Sequence, residues 1–166
     1  VSSWVSTYGV DAIITHCTNN YGPNQDFEKF IPKVIYSCLM NLPIEVYGDG
    51  RNIRDWIYVK DHCSGLIQAS ELGVSGEIYN FGGDKEMENV NLVNTIIEMI
   101  SELGLYHRGK DNVEVKYITD RPGHDRRYAI DSSKAKSQLG WKLSDSFNNR
   151  LKETIKWYSN KIEDVK

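Results

Sequence analysis

The sequence predicts an α/β fold, and three observations carry that expectation. Short apolar runs of strand character alternate with amphipathic helical runs along all 166 residues. Turn chemistry at Tyr21-Gly22-Pro23, Gly48-Asp49-Gly50 and Gly82-Gly83 separates the runs. The first apolar run ends in Thr18-Asn19-Asn20, polar residues at a strand's carboxyl end, where open α/β sheets bind ligands. A hydrophobic content of 40% with 26% charged residues suits a single globular core rather than disorder. A net charge of −3 and a pI near 5.8 oppose a nucleic-acid binder that works by broad phosphate neutralisation. No apolar run approaches the ~20 residues of a membrane span and no signal-peptide pattern is present, so a cytoplasmic location is expected. Cys17, Cys38 and Cys63 lack CxxC spacing and sit among apolar residues, so buried, reduced thiols are expected, with neither a disulfide nor a metal.

The elements follow in order. Val1 to Tyr8 reads as the last turns of a helix already under way, so a chain cut from a longer one is expected, with Gly9 as helix C-cap. Val10 to Cys17 suits a strand buried on both faces. Phe30, Ile31, Val34, Ile35 and Leu39 recur at helical spacing to Met40, with Pro32 in the first turn. Glu45 to Tyr47 is a brief strand closed by Gly48-Asp49-Gly50, and Arg54 to Val59 is extended. Asp61 is placed to cap a helix reaching Leu72, and Asn91 one reaching Leu103, with the strand Glu77 to Phe81 between them. Val113 to Ile118 alternates as a half-exposed strand. Ser132 or Ser133 starts a helix over Lys134 to Leu139, Gly140 stops it, and Ser144 to Tyr158 forms the last amphipathic helix.

Chemistry concentrates in Asp120 to Arg127, which gathers Arg121, Arg126, Arg127 and His124 around the turn Pro122-Gly123. Guanidinium forks match phosphate oxygens, so the stretch is either an anion site or a solvated charge run. Asn19 and Asn20 offer amide donors and acceptors to a sugar or a carboxamide, or else form an Asx turn. Arg54 is either a phosphate ligand or the partner of Asp55, and Trp56 and Tyr58 are equally suited to a core or an interface. Gly48-Asp49-Gly50 is read as a tight turn, because Ile53 stands where a dinucleotide fingerprint needs its third glycine. Tyr106 and Lys110 have the spacing of a Tyr/Lys catalytic pair, but Gly104 and Gly109 bracket them, so both are expected in a surface loop. His16 and His62 have no metal-ligand spacing.

Six segments then act together: Thr18 to Pro23, Glu28-Lys29-Phe30-Ile31-Pro32, Val46 to Gly50, Ile53 to Val59, Tyr79 to Gly83 and Asp120 to Asp131. In this order they resemble the nucleotide-sugar dehydratases of the extended short-chain dehydrogenase/reductase superfamily, in particular the dTDP-glucose 4,6-dehydratases. The resemblance implies the C-terminal part of an extended Rossmann-type, NAD-dependent epimerase/dehydratase fold, with a smaller mixed α/β substrate-binding lobe. Residues 1–22 and 54–83 would be the tail of the NAD-binding domain, and 23–53 and 84–166 the sugar-nucleotide lobe. The implied reaction oxidises C4 of dTDP-glucose, eliminates water across C5 and C6, and returns the hydride to C6, with rhamnose or another deoxysugar as the outcome.

In that family Asn20 would lie by the nicotinamide of NAD, and Asn19, Lys29 and Phe30 would contact the sugar-nucleotide. Glu45, Val46 and Tyr47 would border the thymine, Arg54 and Asn80 the diphosphate, and Asp120, Arg121, Pro122, Gly123 and His124 the far side of the nucleotide. Tyr158 would close the site. The glycine fingerprint, the Tyr-x-x-x-Lys pair and the acid–base carboxylates of the family are missing from this sequence, so the chain by itself is expected to be inactive, and the full-length protein a homodimer. The same half of an epimerase or decarboxylase acting on another sugar nucleotide, or a non-catalytic binding module, are the alternatives.

Overall fold

The strand Ile53–Tyr58 carries β-branched and aromatic residues suited to extended backbone, and its last five side chains are all buried. The computed structural model, which describes residues 1–106 and 113–163, arranges the other elements around it. In chain order these are α1 (Ser2–Tyr8), β1 (Ile14–Cys17), β2 (Asn19–Tyr21), α2 (Phe30–Met40), β3 (Ile44–Tyr47), β4 (Ile53–Tyr58) and α3 (Val59–Leu72). Then follow β5 (Ile78–Phe81), β6 (Glu86–Glu88), α4 (Asn89–Glu102), β7 (Val115–Ile118), β8 (Arg127–Tyr128), α5 (Ser133–Leu139) and α6 (Phe147–Glu163). β4 pairs in parallel with β2, Trp56 opposite Asn19, and with β8, Arg54 opposite Tyr128, while β6 joins it antiparallel. β1 pairs in parallel with β5, and β3 with β7.

Successive side chains of a strand point to opposite faces, so β4 supplies two cores. Trp56 and Tyr58 pack with Ile35 of α2, Ile96 of α4 and Ile155 of α6. Ile57 packs with Ala69 of α3, Phe81 of β5 and Trp141. Asp55, on the Ile57 side, accepts hydrogen bonds from the backbone N–H of Gly83 at 2.8 Å and of Lys85 at 2.7 Å. Glycine is required at 83, because a Cβ there would lie 1.7 Å from the Trp56 carbonyl oxygen.

Several expectations are corrected. The α/β order is not confined to a C-terminal lobe, since helices and strands succeed one another from Ser2 to Glu163 and parallel pairs occur in all three described sheets. β1 begins only at Ile14 and is half-buried rather than enclosed on both faces. α3 starts at Val59, two residues before Asp61, whose carboxylate instead accepts from the Ser144 N–H at 3.1 Å and whose carbonyl accepts from Trp141 Nε1 at 2.9 Å. α4 starts at Asn89 with no side-chain cap, and α6 starts at Phe147 rather than Ser144. Strands β2, β6 and β8 had no apolar pattern to announce them; they form because the buried edges of β4 need backbone partners. Cys63 is exposed and Cys17 half-buried, so of the thiols Cys38 alone is fully buried. Tyr106 packs against the larger core and donates to the Ile97 carbonyl at 3.3 Å, whereas Lys110 lies outside the described residues.

Gly9, in contrast, ends α1 in the left-handed conformation that a glycine C-cap provides, φ 64°. The close approach at Gly83 yields a prediction. Gly83→Ala must displace either the 83–85 loop or β4, and should lower stability by about 3 kcal/mol, the upper range for overpacking. Urea unfolding would measure it, and a midpoint equal to wild type would contradict the contact.

Candidate functional site

Glu45 and Tyr47 are the outward side chains of β3, Arg54 and Trp56 share one face of β4, and Lys29 and Lys33 are one helical turn apart at the start of α2. These surfaces meet around a cleft of about 310 Å³, closed by Asn19 of β2, Asn89 at the start of α4, and Arg121 and His124 of the loop after β7. The size suits a small ligand. Four cationic side chains, Lys29, Lys33, Arg54 and Arg121, line it against two carboxylates, Glu28 and Glu45.

Arg54 is the unusual member. The residue is only 8% exposed, and its guanidinium donates to the carbonyl oxygens of Ile53 at 2.7 Å and Asp125 at 2.8 Å. Asp55 cannot neutralise it, being on the opposite face of β4 and bound to the 83–85 loop. Burial presses its pKa below the ordinary arginine value, and the charge of Arg121 adds to this, with Asp125 and Asp120 acting the other way. The group stays charged, so a buried cation is held by neutral carbonyls beside a second cation. An anion is the natural complement.

The loop is shaped by Asp120, which accepts from the Arg121 N–H at 2.8 Å and sits 2.6 Å from His124 Nδ1. The His124 ring meets Tyr47 edge-on at 6.2 Å between centroids, and Phe30 stacks against Trp56 at 6.2 Å, so aromatic faces flank the cations on both sides. Glu28 lies 2.7 Å from Lys29, and Glu45 2.7 Å from Lys33.

Of the expected site residues the structure brings Asn19, Lys29, Phe30, Glu45, Tyr47, Arg54, Arg121 and His124 into this one cleft. Val46 is corrected to a core residue, fully buried on the opposite face of β3. Asn80, on β5, donates to the Asp131 carbonyl at 3.2 Å, away from the cleft. Tyr158 is buried in α6 and donates to the Gln25 carbonyl, supporting the segment before α2 from behind. Asp120 buttresses the loop, and Pro122 and Gly123 are exposed at its turn, outside the cleft lining. The arginine cluster is divided: Arg126 pairs with Asp49 at 3.0 Å and Arg127 with Glu86 at 2.6 Å, which leaves Arg121 as its contribution to the cleft. Glu28, Lys33, Trp56, Asn89 and Ile118 line the cleft without having been singled out for it. Lys33 was legible, standing four residues after Lys29 on the same helix face.

Asn20 faces a different surface. Its Nδ2 donates to Cys17 Sγ at 3.4 Å and to the Thr18 carbonyl at 3.2 Å, which leaves Oδ1 to accept from His62 Nδ1 at 3.0 Å. Beside it Thr18 Oγ1 is buried with no partner within the described residues. This polar, uncharged strand end fits a carboxamide or hydroxyl-bearing ligand.

The family profile described as GDP-mannose 4,6 dehydratase matches residues 1–154. A dTDP-glucose 4,6-dehydratase of Escherichia coli is 45% identical over 98% of this chain and 46% of its own length. The crystal structure of dTDP-glucose 4,6-dehydratase from Bacillus anthracis, in complex with NAD, superposes with a TM-score of 0.87 at 40% identity, covering 98% of this chain and 49% of that one. The enzyme DesIV of Streptomyces venezuelae, a dTDP-glucose 4,6-dehydratase with NAD and TYD bound, gives 0.86 at 36% identity, covering 96% and 47%.

The chain therefore spans about half the length of the relatives it matches, and the match runs through nearly all of the chain itself. That end-to-end match replaces the expectation of a C-terminal portion with a separate smaller lobe. The expectation of an inactive chain without catalytic tyrosine or lysine is withdrawn with it, since Tyr58, Tyr158 and Lys152 are among the described residues. Tyr58 donates to Glu153 Oε1 at 2.9 Å, and Lys152 lies 2.9 Å from Glu102. Burial pushes the Tyr58 and Tyr158 phenols up to about 12, so both act as neutral hydrogen-bond donors near pH 7.

Burial also lowers the His62 pKa below 6.5, so the folded chain takes up this proton less readily than the unfolded one. The stabilisation is fully present above about pH 6.5 and is lost as pH falls through the lower folded value. Thermal midpoints measured from pH 7.5 to 5 should decline, and His62→Gln, which keeps a donor toward Asn20, should flatten the decline. Equal slopes for both proteins would exclude His62 as the group responsible.

Proposed function

Because the chain belongs to the GDP-mannose 4,6-dehydratase family, we propose that its cleft binds the nucleoside diphosphate hexose of an NAD-dependent 4,6-dehydration, with dTDP-glucose as the substrate. The observation that carries this reading is Arg54, a buried residue with no carboxylate within ion-pair distance among the described residues, sharing its cleft with Arg121. A diphosphate places two anionic groups a few ångströms apart, and two cations fixed from different elements hold it without reacting with it. Arg54 is fixed by carbonyl oxygens, so its fork is already oriented when the ligand arrives, and little side-chain entropy remains to be lost.

On either side of the diphosphate the chain offers different chemistry. Toward β2, Asn19 with the Phe30–Trp56 pair forms a polar notch over an aromatic floor, suited to a hexose. Toward β3, Tyr47 offers a ring face to a nucleobase, and His124 supports it edge-on. Asn89 gives a further amide at the level of the cations. These residues bind and orient, so that the hexose lies beside Asn19 at the start of β2.

Asn20 and Thr18 are the residues that would hold the nicotinamide end of NAD, which, when bound, takes the hydride from C4 and returns it to C6. The His62 contact keeps the Asn20 amide in one orientation for that task. The division into a cofactor-side part, residues 1–22 and 54–83, and a sugar-nucleotide part, residues 23–53 and 84–166, belongs to the same proposal. In its support the larger core cluster draws most of its residues from the second part, while the smaller one joins Ile57, Ala69, Tyr79 and Phe81 of the first to Ala135, Leu139 and Trp141 of the second. A homodimer belongs to it as well, supported by the exposed Trp4, Tyr8, Ile67 and Leu72 of α1 and α3, apolar surface that association would cover. No helix among the described residues is long and apolar enough to cross a membrane, and a cytoplasmic site of action is proposed.

Arg54→Ala should weaken dTDP-glucose binding roughly 10- to 150-fold, the equivalent of ~1.5–3 kcal/mol for a charge-assisted hydrogen bond. Arg126→Ala, which removes a guanidinium bound to Asp49 outside the cleft, should leave affinity unchanged. Isothermal titration calorimetry measures both, and an unchanged affinity in Arg54→Ala would exclude it as a diphosphate ligand.

A further inference from the structure

Asn52, the residue before β4, carries an amide that nothing derived so far uses. It is 3% exposed and lies outside the cleft lining. Its Nδ2 donates to the Asp125 carbonyl oxygen at 3.2 Å, the same atom that receives Arg54 Nη2 at 2.8 Å. An amide that faces a carbonyl must present its nitrogen, so Oδ1 is turned away, and it is buried with no protein partner among the described residues. A buried acceptor in that state costs stability. Leucine has nearly the same shape and would avoid the cost, and it would not orphan the Asp125 carbonyl, which keeps its bond to Arg54. Folding alone therefore gives no reason for an amide at this position.

We infer that Asn52 is a positioning residue: by pinning the Asp125 carbonyl it sets the separation of Arg54 from Arg121, and so adapts the cleft to a diphosphate rather than a monophosphate. The inference rests on the proposed sugar-nucleotide site. The two oxygens that aim the Arg54 fork differ in origin. That of Ile53 belongs to β4 itself, whereas that of Asp125 belongs to the loop after β7, which also carries Arg121. The Asp125 carbonyl is thus where the carriers of the two cations meet. A carbonyl oxygen has two lone pairs; with Arg54 on one and Asn52 on the other, the peptide after Asp125 cannot rotate without breaking a second bond. Asn52 is itself well anchored, since its carbonyl accepts from the Asn89 N–H at 3.1 Å and the next N–H, of Ile53, donates to the Arg126 carbonyl at 2.8 Å. One phosphate can be held by one fork. Two linked phosphates need two forks at a fixed spacing, and a loosened Asp125 carbonyl would blur that spacing.

The test compares dTDP with dTMP by calorimetry on the whole chain for wild type, Asn52→Leu, Asn52→Ala, Arg54→Ala and the double variant Asn52→Leu/Arg54→Ala, with thermal unfolding of each. Wild type should prefer dTDP by about tenfold or more, as expected for one further charge-assisted hydrogen bond. Asn52→Leu should reduce the preference to within about threefold by weakening dTDP, while its thermal midpoint equals or exceeds that of wild type. Without Arg54 there is no spacing left to set, so in the Arg54→Ala background the same substitution should change dTDP affinity by less than about twofold. Asn52→Ala takes over the affinity comparison if the leucine variant does not fold. A dTDP preference that survives the substitution, an equal loss for both nucleotides, or the same loss with and without Arg54 would overturn the inference and leave the diphosphate site intact. Failure of wild type to bind dTDP would overturn the site and the inference with it.

Discussion

One buried positive charge governs the arrangement described above. Arg54 is desolvated, and its guanidinium is held by two carbonyl oxygens rather than by an acid. A protein seldom keeps a cation in that state, because leaving it without a negative partner costs several kcal/mol. Its persistence at the wall of an open cleft has a physical reason if the missing partner is the ligand. Among its charged neighbours Asp125 favours the cation most, Arg121 opposes it, and Asp120 favours it, so burial is what chiefly works against the charge in the free protein.

The parity of β4 is what creates this state. Arg54 and Asp55 are adjacent in sequence yet point to opposite faces, so the carboxylate that sequence offers to the guanidinium is out of reach. Asp55 serves the other side, where it binds the N–H groups of Gly83 and Lys85 and so fixes the loop after β5. The same alternation divides Trp56 and Tyr58 from Ile57 and gives each core its share of the strand.

The regular elements were legible because periodicity is a local property. The helix over Phe30 to Met40 and the strand at Ile78–Phe81 follow from spacing alone, and Gly9 announces its own cap. What sequence could not convey depended on partners remote in the chain. Asp61 has the chemistry of a helix cap but binds the Ser144 N–H, more than eighty residues on. Arg126 and Arg127 have the same chemistry as Arg121, yet Asp49 and Glu86 neutralise them, and nothing in the cluster itself marks which guanidinium remains for a ligand. Val46 and Tyr47 are neighbours in a matching motif, and only the face of β3 decides that one is core and the other cleft. Asn89, at the cleft, and Asn80, beside Asp131, illustrate the same limit, since an amide's role is set by what it faces.

The shared strand also constrains how a ligand enters and leaves. β4 cannot shift without disturbing both cores at once, so the floor under the diphosphate is rigid and cooperative with the rest of the chain. Admission has to come from the parts that are not tied to it in that way, the segment before α2 and the turn at Pro122-Gly123, which carry exposed residues and few backbone bonds to their neighbours. Occupancy of the cleft then acts on the whole molecule: a ligand that bridges these two margins to the shared floor would raise the resistance of both cores to unfolding together.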